Sequence, residues 1–250
     1  MFKQILASVG IGKAKVDTLL LSDSLQAGKP FDIEVVIQGG DVEQQLQGLE
    51  FAVMASAKTE ADLGDNEVKY NKSVILQSWN QSFNLTIQPG ETVTKQLTLD
   101  LHPEVPATYL FGHQIGKVWL QTGLDIKSGL DASDKDSLTI MPSKTQLAVL
   151  KFISDSGYRL FKSDIEFGRV HAHDFVSHLP CYQEYEFKPE SRSLFGAREL
   201  EVTFVDNGTE TGVLIEIDRA FIGDGYKSIS IPNNCSTSES VRHYIEALLG

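Results

Sequence analysis

Apolar residues recur at every second position along much of this chain, and that spacing commits it to strands. Phe31, Ile33, Val35 and Ile37 fall on one face of an extended segment, with Asp32 and Glu34 on the other. Leu49, Phe51 and Val53 repeat the pattern, as do Phe83, Leu85 and Ile87. Leu120, Thr122, Leu124 and Ile126 form a further strand with Trp119 on its opposite face. Glycines bracket the opening: Gly10-Ile11-Gly12 leads through Ala14-Lys15-Val16-Asp17-Thr18, and the strand from Phe31 to Ile37 runs into Gly39-Gly40-Asp41-Val42-Glu43-Gln44-Gln45. In 250 residues such a pattern fills one large all-β domain or two sandwiches.

Turn chemistry divides the pattern. Gln88-Pro89-Gly90-Glu91 predicts a hairpin that joins the 83–87 strand to Leu97, Leu99 and Leu101. His102-Pro103-Glu104-Val105-Pro106 stops the return strand, because proline donates no ladder hydrogen bond. Asp131 to Asp136 reads as an acidic loop, and a boundary falls at Met141-Pro142-Ser143-Lys144, beyond which strand patterning resumes. Leu200, Val202 and Phe204 alternate with Glu201 and Thr203, and Asp206-Asn207-Gly208-Thr209 turns them into Val213, Ile215 and Ile217. The expected architecture is all-β, two tandem sandwiches over residues 1–141 and 145–250. A short C-terminal helix closes the second. Ser236-Thr237-Ser238-Glu239 is a capping-box pattern ahead of the stripe Val241, Tyr244, Ile245, Leu248 and Leu249, which a docked helix explains.

Charge and cysteine usage narrow the function classes. A net charge of −12 repels phosphate backbones, so nucleic acid is not expected as a partner. Cys181 and Cys235 make no CxxC pair and no disulfide framework. The apolar run at the N-terminus is short and closely followed by Lys13, Lys15 and Asp17, so the sequons at Asn71, Asn80, Asn84, Asn207 and Asn234 read as chance and the expected location is the cytoplasm. Phe2, Ile5, Leu6 and Val9 make a weak helical stripe compatible with membrane-surface contact, but one short stripe binds marginally.

Two constellations offer chemistry. His171 and His173 would share a strand face and could hold a metal ion, though Asp174 would then point away and no HExxH or paired Cys/His spacing supports a site. Surface histidines before Pro180 are the simpler reading. Glu184 and Glu186 share a strand face with Tyr182, while Gln183, Tyr185 and Phe187 form the opposite row. Paired carboxylates can serve as acid and base in glycoside hydrolysis, yet alternation alone accounts for them. The same spacing could present a carboxylate ladder to a basic partner. No GxSxG is present, and Gly12-Lys13 is followed by alanine, so no nucleophile elbow or phosphate loop is expected.

Gly10-Ile11-Gly12, Ala14-Lys15-Val16-Asp17-Thr18, Gly39-Gly40 and Val42-Glu43-Gln44 resemble the opening of the bacterial sporulation-control (stage-zero sporulation protein M, SpoOM-like) family. Leu179-Pro180-Cys181-Tyr182-Gln183-Glu184-Tyr185-Glu186-Phe187 and Gly212-Val213-Leu214-Ile215-Glu216-Ile217-Asp218-Arg219 are similar to its later segments. Pro89-Gly90-Glu91 and Val105-Pro106 are similar to arrestin-like sandwiches, and the segment from Asn233 to Gly250 matches nothing in the family pattern. The resemblance implies two arrestin-like immunoglobulin-type sandwiches and a non-enzymatic, cytoplasmic regulatory or scaffold role without cofactor. A protein partner is expected, and self-association is compatible with it. The competing expectation is a metal-binding enzyme or sensor built on His171 and His173.

Overall fold

The computed structural model describes residues 12–62, 67–127, 131–190, 199–218 and 225–249. The stripe Phe2, Ile5, Leu6 and Val9 lies outside them. The first half forms strands β1 (Lys15–Leu20), β2 (Leu25–Gln26), β3 (Pro30–Gln38), β4 (Gln44–Asp62), β5 (Glu67–Ile87) and β6 (Thr92–Asp100). These are followed by β7 (Tyr109–Leu110), β8 (His113–Gln114), β9 (Val118–Ile126), β10 (Ala132–Ser137) and β11 (Ile140–Met141). The second half is helix α1 (Lys144–Asp155), strands β12 (Tyr158–Phe167), β13 (Cys181–Pro189), β14 (Glu199–Asp206), β15 (Glu210–Asp218) and β16 (Gly225–Pro232), and helix α2 (Ser238–Leu249). The chain is mostly strand, as the alternation requires. Among the described residues no helix is long and apolar enough to cross a membrane.

The first half is a sandwich. A small sheet in the order β1-β3-β6 faces β10-β9-β4 with β5 on the other side of β4. Phe31, Ile33, Val35 and Ile37 enter one core with Leu49, Phe51, Val53, Leu120 and Leu124, each buried side chain stabilising by roughly 1.5–3 kcal/mol. The paired glycines have a steric cause. A Cβ on Gly39 would run into the Gln88 carbonyl oxygen and one on Gly40 into that of Gly12. Three chain segments meet there, tied by Gly39 N–H to Glu91 O at 2.7 Å and Asp41 N–H to Gly12 O at 2.8 Å.

Four local expectations are corrected. The Gln88–Glu91 turn forms, with Glu91 N–H donating to Gln88 O at 3.1 Å, but it makes no hairpin. β5 already pairs with β4 along its length, so the chain crosses to the other sheet and β6 pairs with β3, Phe31 opposite Leu99 and Ile33 opposite Leu97. The Asp131–Asp136 segment is no loop: Ala132–Ser137 is strand β10, antiparallel to β9. Strand patterning does not resume after the boundary. Ser143 and Gln146 form a capping box and open α1, whose Val149, Phe152 and Ile153 lie at helical spacing in the core. At α2 the reciprocal cap is Thr237 with Ser240, one residue later than the expected pair: Ser240 N–H donates to Thr237 Oγ1 at 3.2 Å and Thr237 N–H to Ser240 Oγ at 3.1 Å.

The second half departs from the sandwich pattern in its backing layer. β12 to β16 form a consecutive antiparallel series whose inner face carries Tyr185, Phe187, Leu200, Val202, Val213, Ile215 and Ile231. Against it lie α1 and α2, through Val149, Phe152, Ile153, Val241, Ile245 and Leu248. The cores do not divide where the sequence does. Leu110 belongs to the second core, and Ile165, Leu179 and Cys181 belong to the first. One parallel bridge, Glu166 to Lys58, links β12 to β4 and joins the two halves' strands into a nine-stranded sheet.

Candidate functional site: the acidic outer face of the second sheet

Because the helices cover one face of the β12–β16 sheet, alternation sends every second side chain to the other. Register then assembles those side chains into rows. Lys162 on β12 lies opposite Glu186, which lies opposite Glu201, then Glu216 on β15 and Tyr226 on β16. The next row is Asp164, Glu184, Thr203, Leu214 and Ser228, and Glu166 faces Tyr182 beyond it. Three glutamates thus stand in line across three neighbouring strands, an arrangement that destabilises a sheet unless something neutralises it.

Neutralisation is partial. Lys162 reaches Glu186 and Asp164, both at 2.6 Å, and Lys58 pairs with Asp164 across the junction of the halves. Burial pushes Asp164 up, but hydrogen bonds from Lys162 and Lys58 win and hold its carboxyl below the ordinary value. Among the described residues no lysine or arginine makes a salt bridge to Glu184, Glu201 or Glu216, although Arg169 lines the pocket beside them. Burial, then the charges of Glu201, Glu166, Asp164 and Glu216, push Glu184 up to about 7. Burial and Glu216 raise Glu201, burial and Asp164 raise Glu166, and burial with neighbouring Glu184 pushes Tyr182 up to about 12. Tyr226 is raised by its hydrogen bond to Glu216.

The segment from Gly168 to Pro180 folds over one end of this face. Gly168 N–H donates to Pro180 O at 3.0 Å, and Ser177 pins the segment through its hydroxyl, 2.9 Å from the Val170 N–H. Phe175 lies against Gly212, where a Cβ would approach its ring to 2.5 Å. Segment and sheet together enclose a pocket of about 150 Å³, lined among others by Tyr182, Glu184, Glu201, Glu216, Tyr226 and His171.

The structure therefore distributes the sequence candidates unevenly. Glu184 and His171 come to one pocket, while Glu186 stands one row away on Lys162. His171 lies outside the regular strands, in an isolated bridge with Val176, and His173 is exposed and bonded to Asp174 at 2.6 Å. His178 belongs elsewhere, against Glu104 at 2.7 Å. Among the described residues the ligand-type side chains that converge are Glu186, Glu199 and Glu201, and neither His171 nor His173 joins such a group. Lys162 and Lys188 already occupy two of those carboxylates. Cys181 is held as a thiol, pushed up to about 12 by burial and by Glu104. Sequence reasoning missed Glu201, Thr203, Glu216 and Tyr226 as members of one site. The signal was the turn at 206–209, whose register sets Glu201 against Glu216.

Fold and face together define a mostly-β protein, a sandwich fused to a helix-backed sheet with an acidic outer surface. Residues 2–221 match the family model of the SpoOM protein. The sporulation-control protein spo0M of Bacillus subtilis (strain 168) is 31% identical over 223 residues, covering 87% of this chain and 80% of that protein. The crystal structure of Spo0M from Bacillus subtilis superposes with a TM-score of 0.78 at 25% identity, over 95% of this chain and 98% of the other. The chain belongs to the SpoOM family of sporulation-control proteins.

Proposed function

We propose that this chain is a non-enzymatic, cytoplasmic regulatory protein of arrestin-like, two-unit organisation that acts by binding another protein. On this reading residues 1–141 serve as scaffold and residues 145–250 carry the recognising face. The observation behind it is the line Glu186, Glu201 and Glu216, held in register, in which among the described residues Glu186 alone has a salt bridge, to Lys162. Such a row is a liability for folding and an asset for meeting a basic surface, where charge complementarity sets both encounter rate and partner choice. The SpoOM family membership supports a regulatory role, and the inert Cys181 and fully exposed, Asp174-bound His173 offer no alternative chemistry that fits the face.

A photo-cross-linking residue at Ser228, on the outer row beside Leu214, tests this in the native host. Discrete protein adducts are expected, and they should vanish when Glu201 and Glu216 are both changed to lysine. An adduct pattern indifferent to that charge reversal would refute recognition by this face.

A further inference from the structure

We propose that the pocket among Tyr182, Glu184, Thr203, Glu201, Glu216 and Tyr226 seats the guanidinium group of an arginine side chain from a basic protein segment. The inference rests on the recognition reading above and names the group that the face would recognise.

Four observations converge on that chemistry. Glu201 and Glu216 lie opposite each other on β14 and β15, and among the described residues neither has a basic side chain in salt-bridge contact. Thr203 is 5% exposed and shares the outer face with Glu201 and with its cross-strand neighbours Glu184 and Leu214. Its side chain thus points to the pocket floor, and among the described residues its hydroxyl has no hydrogen-bond partner. Tyr182 and Tyr226 also line the pocket. A guanidinium brings planar, forked donors for two carboxylates and a hydroxyl, and it stacks on aromatic rings; an ammonium does only part of this. A divalent ion is the poorer occupant, since the converging carboxylates Glu186 and Glu199 are already held by Lys162 and Lys188.

The seat would respond to pH. Glu184 faces Asp164 and Glu166 on β12, Tyr182 on its own strand, Glu201 on β14, Glu216 on β15 and Tyr226 on β16, with Arg169 and His171 on the covering segment. Burial, and then that surplus of acid, push Glu184 up to about 7, so raising the pH adds negative charge to the pocket.

Calorimetric titration of the full chain with a short oligo-arginine peptide tests the proposal, with an oligo-lysine peptide and Mg²⁺ as comparison probes. Saturable binding of the arginine peptide is expected at pH 8, weakening severalfold toward pH 6. Glu201→Gln combined with Glu216→Gln should weaken it by about tenfold or more. Thr203→Val, which removes only the hydroxyl, should weaken it at unchanged melting temperature. Absence of saturable binding, equal affinity for the lysine peptide, displacement by Mg²⁺, or binding indifferent to the Gln changes would overturn it. Cross-linking at Ser228 separates the two ideas. Adducts that depend on Glu201 and Glu216 but survive excess arginine peptide would sink the seat while leaving recognition by the face intact.

Discussion

Glu184 sits between Asp164 on β12 and Thr203 on β14, and burial with Glu201, Glu166, Asp164 and Glu216 holds its carboxyl near 7 against an ordinary 4.5. The folded chain therefore resists ionising it. With respect to this group, stability is fully present below pH 4.5 and is lost as the pH rises toward about 7. Glu184→Gln removes the penalty. Melting curves should show the variant more stable than the parent at pH 8 by about 1–2 kcal/mol, a figure reduced from the full shift because the side chain is only half-buried. The advantage should close by pH 4.5, and an equal advantage at both values would show that repacking, not charge, is responsible. The residue type and its strand face were legible from alternation alone. Its surroundings were not, because they arrive from β12, β14 and β15.

Among the elements, α1 explains most about how the second half is built. Its apolar segment is too short for periodicity to separate helix from buried strand, and the deciding signal is local: Ser143 accepts from Gln146 N–H at 3.2 Å while Gln146 Oε1 accepts from Ser143 N–H at 3.1 Å. Ser143→Ala should cost about 1 kcal/mol, read as a melting temperature about 2–4 °C lower. No change would mean that packing on Phe187 and Leu200 alone holds the helix. The same lesson applies to β6. Its pattern was readable, but its partner was not, since a Pro-Gly turn specifies reversal and not which sheet receives the chain. At α2 the stripe Val241, Ile245, Leu248 and Leu249 is legible from helical spacing alone and is buried against the sheet and α1.

At the scale of the whole molecule, buried polar side chains bind the halves. Gln183 donates to Ala107 O at 2.9 Å and accepts from Ala107 N–H at 2.8 Å, while the Tyr185 hydroxyl donates to it at 2.8 Å. Glu104, on the stop signal after β6, accepts from the backbone N–H groups of His178 and Leu179 at 2.8 and 3.2 Å. Gln183→Leu keeps the volume and strands the Ala107 amide groups, so a loss of about 2–4 kcal/mol is expected. Urea titration followed by Trp79 and Trp119 fluorescence would report it as a lower midpoint. If the midpoint did not move, Gln183 would be a bystander and the junction would rest on Ile165, Leu179 and Cys181 packing into the first core.

The sequence by itself determined the strand-rich class, the faces of β3, β9, β13, β14 and β15, the stripe on α2 and the family to which the opening glycines belong. The family rests on resemblance of whole segments; the rest follow from short-range spacing: a two-residue period assigns faces, and a turn's own residues assign its geometry. Only the tertiary structure decided that β6 crosses to β3, that helices and not a second sheet back the later strands, and that Glu186, Glu201 and Glu216 form one line. Those outcomes depend on which strand lies beside which, and pairing is fixed by burial summed over distant segments. No single stretch of the chain contains that sum.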